Sequence, residues 1–535
     1  MKKIIIFLIG VLFSNIIWAQ HIYSDTTWER WYGVQNYNEI MTPFNNTIEH
    51  YDNGYLYHGR KEYPISPEKP FLKKVDVNGY LLWERTLDSI INKAILYTGK
   101  YHDGGILVCG GSFHSGIGNP WIAKLNACME VEWCKIFDWY QYSSAIDIAE
   151  DNNGDIVVLT SGYGEGVNER IGIIKLSPNG TVLWKGDYAT MDDYPDIWGA
   201  TPYKLLISED NFYYLAIKAD WPNNNDPSQG SGTRSIMIKV SPEGNEEWIL
   251  PMGIYNSLYS KPWTIHQLTD DLFLTIGDNY VTLHPIMFYF NSNGEEISVV
   301  NKQVMPDTYY QTRLSGAKMI SDTSFFSIWR YKYDIQETEY HYGYIIFDTA
   351  LNIIDSKEDD RWHGPADLIH ASNNKFVTVG SMDENNSSGK RDIYLSKRNL
   401  DFSYDSVYMQ WPGHYDTLCE EAIVSGYLPY DCDMIVGINE VSTPQEYKEA
   451  QEHIVIQVQP NPASSQVSVL LENTARFSNL QMHIIKQTGE KLYERQIREA
   501  SQEELLDISQ WASGIYLIII RSEGKILGSS KLIVE

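Results

Sequence analysis

A lysine followed nine residues later by a tryptophan, with turn residues between them, recurs four times in this chain. Three of the four turns end in Asn-Gly or Glu-Gly. Asn-Gly between alternating apolar residues is typical of a β-hairpin, because both turn residues must accept positive φ. The pattern predicts a repeated hairpin whose lysine and tryptophan positions are Lys74 and Trp83, Lys124 and Trp133, Lys175 and Trp184, and Lys239 and Trp248.

The spacing of the repeat indicates how the hairpins are assembled. Successive tryptophans are 50, 51 and 64 residues apart, close to the length of a four-stranded propeller blade. A second strand signal precedes each of the first three hairpins, and weaker copies at 270–300, 322–357 and 373–409 bring the total to seven. A closed ring of blades leaves few exposed strand edges. We therefore predict an all-β chain with a seven-bladed β-propeller, six or eight blades being the alternatives, followed by a small C-terminal β-sandwich.

The segment Thr27–Gly33 resembles the end of one repeat. We expect it to supply the last strand of the last blade and so to close the ring without a covalent bond. Over about residues 27–440 the repeats resemble secreted propellers whose units run as a Gly-rich strand, a Lys-Leu strand, Asn-Gly and Trp. The unit also resembles the docking motif of quinoprotein propellers, although its threonine and a vicinal cysteine pair are missing, so no cofactor is expected. Packing between blades is the role predicted for Trp83, Trp133, Trp184 and Trp248.

The two ends of the chain carry export signals. Lys2-Lys3, an apolar run and Trp18-Ala19-Gln20 form the layout of a signal peptide over 1–20, with cleavage next to Ala19 or Gln20. No second apolar run approaches the ~20 residues of a membrane span, so no transmembrane segment is expected in the mature chain. We place the propeller at 21–436, a polar linker at 437–453 and a last domain at 454–535.

The last domain contains several short motifs in a fixed order. They are Pro460-Asn461-Pro462-Ala463, the turn 486–490, the segment 511–517 with Gly514 and Tyr516, and the end Lys531-Leu532-Ile533-Val534. Together they resemble the type A sorting domain of the type IX secretion system of Gram-negative bacteria. The resemblance implies Sec export, folding in the periplasm, outer-membrane passage with the secretion machinery as partner, and a secreted or surface-associated product.

Charge and cysteine content indicate which partners and which disulfides to expect. With 42 Lys+Arg against 70 Asp+Glu, the formal charge of -28 repels phosphate backbones, so nucleic acid is not an expected partner. Five cysteines leave one unpaired. Cys419 and Cys432 are symmetric about Ser425-Gly426, and a hairpin turn there would place them in disulfide reach. We predict that bridge, and a buried unpaired Cys109.

Familiar catalytic motifs are missing, and the sequence assigns no catalytic, cofactor-binding or metal-ligating residue. The acidic segment 151–155 fits a β-turn better than a calcium loop. Two segments could contact a ligand: the insertion 220–234, and the aromatic-rich 329–333 with 340–344, whose rings could stack on sugars or fill a protein interface.

Three functions remain open. The leading hypothesis is a non-enzymatic binding or adhesion protein, whose ligand would be a surface glycan or a protein. The alternative is a carbohydrate-active or other hydrolytic enzyme with its site in the central pocket of the propeller. A structural component of an extracellular matrix is the third.

Overall fold

All regular secondary structure in the described part of the chain is β-strand. The computed structural model describes residues 26–33, 38–40, 47–62, 69–88, 97–114, 117–138, 142–164, 167–189, 194, 197–222, 231–253, 260–279, 282, 284–302, 311–334, 336–337, 340–359, 365–371, 374–382, 392–410, 412–429, 432–435, 455–472, 479–486, 491–497, 503–522 and 525–534. The predicted signal peptide and its cleavage site at Ala19 and Gln20, and the predicted linker at 437–453, lie outside these residues. The chain divides into two compact units, 1–442 and 443–535.

The strands of the first unit begin with β1 (Trp28–Tyr32), β2 (Asn38–Ile40), β3 (Thr47–Glu49), β4 (Tyr55–Glu62), β5 (Lys69–Val75), β6 (Leu81–Asp88), β7 (Tyr97–Lys100), β8 (Ile106–His114), β9 (Ile117–Leu125), β10 (Val131–Phe137), β11 (Tyr142–Glu150), β12 (Ile156–Gly164), β13 (Val167–Leu176), β14 (Val182–Tyr188), β15 (Trp198–Ile207) and β16 (Tyr213–Pro222). They continue with β17 (Ser231–Val240), β18 (Glu246–Pro251), β19 (Ser260–Thr269), β20 (Leu272–Asn279), β21 (Pro285–Asn291), β22 (Glu296–Asn301), β23 (Gln311–Ser321), β24 (Ser324–Lys332), β25 (His341–Asp348), β26 (Ile353–Glu358), β27 (Pro365–Ala371), β28 (Lys375–Met382), β29 (Asp392–Asn399), β30 (Gly426–Pro429) and β31 (Asp433–Ile435).

Consecutive strands pair as antiparallel meanders. β15 to β18, β19 to β22 and β23 to β26 each form a four-stranded sheet in chain order. β7 to β10 and β11 to β14 form two more such sets, joined into one larger sheet by the pair Tyr142 and Gly118. In the first sheet β2 and β3 both pair with β4, which is followed by β5 and β6. The unit is therefore all-β, and its four-stranded antiparallel sheets are of the kind that form propeller blades.

The last sheet is completed from the N-terminal end of the chain. β1 adds to β29 beside β28 and β27, with Trp28 opposite Lys397 and Tyr32 opposite Ile393. The prediction that Thr27–Gly33 finishes the final repeat is confirmed. The first strands of successive sheets lie next to one another in the order β3, β7, β11, β15, β19, β23, β27, and β27 lies next to β3.

The repeated lysine and tryptophan face each other across the third and fourth strands of a sheet. A fifth pair, unrecognised in the sequence, is divided between the two ends of this unit, because its lysine is on β29 and its tryptophan on β1. The pairs are Lys74 and Trp83, Lys124 and Trp133, Lys175 and Trp184, Lys239 and Trp248, and Lys397 and Trp28.

Tryptophans of the repeat join neighbouring sheets. Their indole N–H groups donate to backbone oxygens in the turn of the next sheet, at 3.0 Å from Trp133 to Pro178, from Trp184 to Pro242 and from Trp248 to Ser292, and at 2.8 Å from Trp28 to Val77. Trp83 packs in a core cluster with residues of the next sheet. The predicted packing between sheets is confirmed, although Trp133 and Trp248 are only half-buried.

A segment after β29, residues 401–435, crosses the start of the unit, and we call it the strap. The Asp405 side chain accepts a hydrogen bond from Thr27 N at 2.9 Å. Further along, β30 pairs in parallel with β6, and β31 pairs in parallel with β10. The strap therefore connects the last sheet to the first two.

Two disulfides fasten the strap to the hairpin of β9 and β10. Cys128 pairs with Cys419 and Cys134 pairs with Cys432, with Cα separations of 5.1 and 4.5 Å. The predicted Cys419–Cys432 bridge is wrong, because the chain does not turn back at Ser425-Gly426 but continues into β30. The prediction of a buried, unpaired Cys109 is confirmed.

The second unit contains β32 (Val455–Gln459), β33 (Gln466–Glu472), β34 (Gln481–Lys486), β35 (Lys491–Gln496), β36 (Glu503–Asp507), β37 (Gly514–Ser522) and β38 (Lys525–Val534). One sheet has the order β32-β33-β36 and the other β35-β34-β37-β38. Val467 and Leu471 of the first sheet share one apolar cluster with Met482 and Ile518 of the second. β36 completes the first of these sheets by pairing with β33.

Candidate functional site

Basic side chains of three successive sheets come together in the first unit. Lys218 lies on β16, Lys261 at the start of β19, Arg313 near the start of β23, and Arg330 and Lys332 at the end of β24. In an antiparallel meander, the start of the first strand and the end of the second lie at the same end of the sheet. This end is opposite to the one that carries the tryptophan turns, which join third and fourth strands.

Half-buried aromatic rings accompany these cations. Lys261 Nζ lies 3.8 Å from the ring centre of Trp263 and 4.5 Å from that of Tyr203. The two rings meet edge to face with 5.6 Å between their centres. Such cation–π contacts stabilise a partly desolvated ammonium group. Lys261 and these two rings therefore form a surface that is both polar and apolar.

A third ring extends this surface towards β24 and β25. The Arg330 guanidinium carbon lies 5.0 Å from the ring centre of Tyr340, and Lys332 Nζ lies 4.7 Å from it. We define the basic–aromatic cluster as these five cations and three rings: Lys218, Lys261, Arg313, Arg330, Lys332, Tyr203, Trp263 and Tyr340.

The structure divides the aromatic-rich segments singled out in the sequence. Trp329, Tyr331 and Tyr344 are fully buried and serve the core. Tyr333 is 44% exposed, and Tyr340 lies in the basic–aromatic cluster. Only part of the predicted contact surface is therefore available to a ligand.

Burial and like charges alter the ionisation of two groups in the cluster. Desolvation lowers the pKa of Lys261 to about 8; Asp278 opposes this shift, and Lys218, Arg330 and Arg313 add to it. Desolvation raises the pKa of Asp278 to about 6, against the hydrogen bond from Trp263 Nε1, which is 2.8 Å from Asp278 Oδ2. Positive charge therefore dominates this part of an otherwise acidic protein.

The second predicted contact segment, 220–234, is anchored at both ends. Trp221 is buried. Arg234 Nε donates to Met252 O at 3.0 Å, and Arg234 also donates to Gly253 O. Residues 223–230 lie outside the described residues.

One group with metal-ligand chemistry occurs among the described residues: His50, Asp52 and Asp416. Lys74 Nζ lies 3.1 Å from His50 Nδ1, 2.5 Å from Asp52 Oδ2 and 2.6 Å from Asp416 Oδ1. Burial opposes ionisation of Asp52, but hydrogen bonds from His50 and Lys74 hold its pKa well below its usual value. The ammonium group takes the place of a metal cation and fastens the strap to the first sheet.

The acidic segment 151–155 is a turn closed by a lysine. Asn153 N and Asp155 N both donate to Asp151 Oδ1, at 2.9 and 3.0 Å. Lys175 Nζ lies 3.0 Å from Asp151 Oδ2 and 3.2 Å from Asp155 Oδ2. The β-turn interpretation is confirmed.

Two buried aspartates on first strands are engaged by the backbone of the next sheet. Asp147 Oδ2 accepts from Leu205 N at 3.0 Å and lies 2.8 Å from Lys204 Nζ. Asp367 Oδ2 accepts from Thr47 N at 2.9 Å. Both carboxylates therefore hold neighbouring first strands together.

The second unit brings the motif residues at its two ends together. Asn461 Nδ2 donates to Lys531 O at 2.8 Å, and Ile533 N donates to Asn461 Oδ1 at 2.8 Å. The neighbours of this asparagine are Pro460 and Pro462. Gly514 and Tyr516 lie on β37, opposite Val534 and Leu532 of β38.

Comparison with known proteins follows this division into two units. Residues 457–535 match the model of a family described as "Secretion system C-terminal sorting domain". The chain is thus an all-β protein with propeller-type blades and a C-terminal sorting domain of the type IX system. It is a type IX secreted protein, released or attached at the cell surface.

The other comparisons leave activity open. None of the curated proteins matches the sequence. Among solved structures, the polysaccharide lyase Uly1 is 10% identical with a TM-score of 0.42, covering 69% of this chain and 92% of its own. An α-L-arabinanase of Penicillium chrysogenum complexed with arabinobiose is 11% identical with a TM-score of 0.35, covering 71% and 99%. Semaphorin 1b of Drosophila is 9% identical with a TM-score of 0.38, covering 70% and 87%. Likenesses this weak carry no argument about function.

The described residues contain no helix long and apolar enough to cross a membrane.

Proposed function

We propose that the protein is an exported, non-enzymatic binding protein that recognises a glycan outside the cell. In this proposal a signal peptide over 1–20 is cleaved next to Ala19 or Gln20. A seven-bladed β-propeller over 21–436 carries the ligand site, a linker over 437–453 follows, and a β-sandwich over 454–535 directs type IX secretion.

The order of first strands supports a seven-bladed ring. β3, β7, β11, β15, β19, β23 and β27 are neighbours in turn, and the last lies beside the first. Each belongs to a meander of the length expected for one blade. The pairing of β1 with β29 supports closure of that ring by the N-terminal strand.

One observation carries the assignment of glycan binding: half-buried rings and cations of three successive sheets meet at one end of the unit. Aromatic faces pack against the apolar C–H faces of sugar rings, and nearby donors bind sugar oxygens. Lys261 lies against Trp263 and Tyr203, while Arg330 and Lys332 lie against Tyr340. The basic–aromatic cluster therefore offers both kinds of contact.

A binding experiment with matched variants tests this assignment. The exported protein, purified from culture medium, is screened on an array of bacterial and plant oligosaccharides. Tyr340→Ala should weaken binding of the best ligand about tenfold, since one ring of the cluster is lost. Tyr427→Ala is the control, because Tyr427 also lies beside a lysine, 5.0 Å from Lys69 Nζ, but on the strap-side strand β30. Equal binding by wild type and Tyr340→Ala would exclude this site.

A hydrolytic enzyme is the second candidate, favoured by the displaced pKa values of Asp278 and Lys261. Such displacements are common in active sites. Glycoside hydrolysis usually needs two carboxyl groups about 5–10 Å apart, whereas Asp278 interacts electrostatically with the cations Arg313, Arg330 and Lys261. Release of reducing ends by the wild-type chain, lost in Asp278→Asn at unchanged ligand affinity, would favour the enzyme.

We further propose that the motif residues of the second unit form the surface read by the secretion machinery. Two hydrogen bonds support this proposal, because Asn461 donates to Lys531 O and accepts from Ile533 N, which holds the two ends of the motif together. The residues concerned are Pro460, Asn461, Pro462, Gly514, Tyr516 and Lys531.

A further inference from the structure

Three buried lysines elsewhere in the first unit are neutralised by carboxylates. Lys74 is paired with Asp52, Lys124 with Asp103 and Lys375 with Asp405, at 2.5 to 3.1 Å. Charges that are partly desolvated are normally paired in this way. With 70 acidic side chains against 42 basic ones, such partners are abundant in this chain.

Cations of the basic–aromatic cluster differ from these three lysines. In the described part of the chain, Lys218, Lys261, Arg313 and Arg330 form no hydrogen bond or ion pair with a carboxylate. Asp278 lies among them, but its oxygens accept from Trp263 Nε1 at 2.8 Å and from Leu314 N at 3.3 Å.

Placing four cations in one half-buried region without paired carboxylates is unfavourable unless an anion binds there. The pKa of Lys261, lowered to about 8, reflects that environment. An arginine fork binds a carboxylate or a sulfate ester through two parallel hydrogen bonds. Arg313 and Arg330 are cross-strand neighbours and could present two such forks.

We propose that the ligand is a short saccharide with a negatively charged group, a uronate carboxylate or a sulfate ester, bound by the cations of the basic–aromatic cluster. This inference rests on the proposed glycan-binding function and specifies its ligand. The sugar ring packs on Trp263, Tyr203 or Tyr340, and its anionic group lies towards Arg313 and Arg330.

The overall charge restricts the length of the ligand. A formal charge of -28 repels long polyanions. At physiological ionic strength the screening length is about 8 Å, so the nearby cations dominate for a ligand no larger than the cluster. An oligosaccharide or an acidic chain end is therefore favoured over a continuous polyanion such as nucleic acid.

Calorimetric titration of the full mature chain with charge-matched pairs of probes tests the inference. Trigalacturonate is compared with its methyl ester, and N-acetylglucosamine 6-sulfate with N-acetylglucosamine. At least one acidic probe should bind about tenfold more tightly than its neutral counterpart, as expected for a charge-assisted hydrogen bond. The preferred pair distinguishes carboxylate from sulfate.

Variants locate the effect. Arg313→Gln and Arg330→Gln should each reduce the preference for the acidic probe about tenfold, while Lys69→Gln, which removes a cation beside Tyr427, should leave it unchanged. The retained amide can still bond a sugar hydroxyl, so affinity for the neutral probe should change little. Circular dichroism checks that the variants are folded, and Lys261→Gln provides a third substitution if either arginine variant is not.

The outcomes separate this inference from the proposed function. Equal affinity for acidic and neutral probes, with both weakened in Tyr340→Ala, would retain glycan binding and reject the acidic ligand. No binding of any saccharide on the array or in the titrations would reject both. Tighter binding of a single-stranded oligonucleotide or an acidic peptide than of the acidic sugars would assign the cluster to another class of ligand.

Discussion

The two strap disulfides should stabilise the fold non-additively: the free energy of unfolding lost with one bridge should depend on whether the other is present. Each bridge alone closes a loop of 291 or 298 residues. Once either is formed, the second closes only a ring of about 19 residues, made of the short segments between the paired cysteines. The chain-entropy relation gives about 6 kcal/mol for the long loop and about 3 kcal/mol for the short one.

Loss of either bridge should therefore lower the free energy of unfolding by about 3 kcal/mol, and loss of both by about 9 kcal/mol. The variants are Cys128→Ala with Cys419→Ala, Cys134→Ala with Cys432→Ala, and all four together. Urea unfolding of the mature chain, followed by tryptophan fluorescence, gives the midpoints and slopes. The remaining cysteine, Cys109, is kept in every variant.

The test is the comparison between variants, because the entropy relation gives each loss of unfolding free energy only to within a factor of about two. If the loss of unfolding free energy from all four substitutions equals the sum of the two paired losses, the bridges do not close a shared loop. Reduction of the wild-type disulfides should reproduce the fourfold variant.

Three further predictions concern the ligand site, the blade turns and the sorting unit. Affinity for an acidic probe should fall as pH rises through about 8, because Lys261 loses its proton there while Asp278 stays ionised. Titrations at pH 7 and 9 measure this change, and an affinity that does not depend on pH would contradict it. Gly294→Ala should lower the free energy of unfolding by about 1–3 kcal/mol, because φ of Gly294 is +81° and the added Cβ would lie 2.7 Å from the Trp248 ring. Urea unfolding measures this loss, and an unchanged midpoint would show that the turn can rearrange. Asn461→Ala should destabilise the second unit by about 1–3 kcal/mol through loss of the hydrogen bond to Lys531 O. The variant should also remain in the periplasm, which immunoblotting of cell fractions detects. Normal export would show that sorting does not need this hydrogen bond.

The blades could be predicted from sequence because their signals are local. A lysine and a tryptophan nine residues apart face each other across one hairpin, so the repeat in the sequence is the repeat in the sheets. The N-terminal strand was predictable for the same reason, since Trp28 retains the pattern of a repeat end although its lysine, Lys397, is far along the chain.

Contacts between residues far apart in the sequence were not predictable. The disulfide partners are separated by 291 and 298 residues, and only the path of the strap brings them together. Local symmetry about Ser425-Gly426 suggested a hairpin, but pairing of β30 with β6 extends the chain there instead. Similarly, β36 (Glu503–Asp507) has too little alternation to be recognised without its partner strand β33.

The candidate site was predicted only in part. The segments containing Arg330 and Tyr340 were recognised by their dense aromatic content. Lys261, Trp263 and Tyr203 were missed, because they lie on strands of other sheets and no short motif marks them. A lysine two residues before a tryptophan at a strand start is a weak signal, and its significance comes from the neighbours that the fold supplies.

Mass-spectrometric mapping of outer-membrane and culture fractions tests whether the second unit directs export of the first. The native chain is compared with one that lacks the residues after His453. We predict that the native chain is found outside the cell without its C-terminal unit, and that the shortened chain stays in the periplasm. Both chains in the same compartment, or an intact C-terminal unit on the external protein, would show that the second unit is not a cleaved export signal.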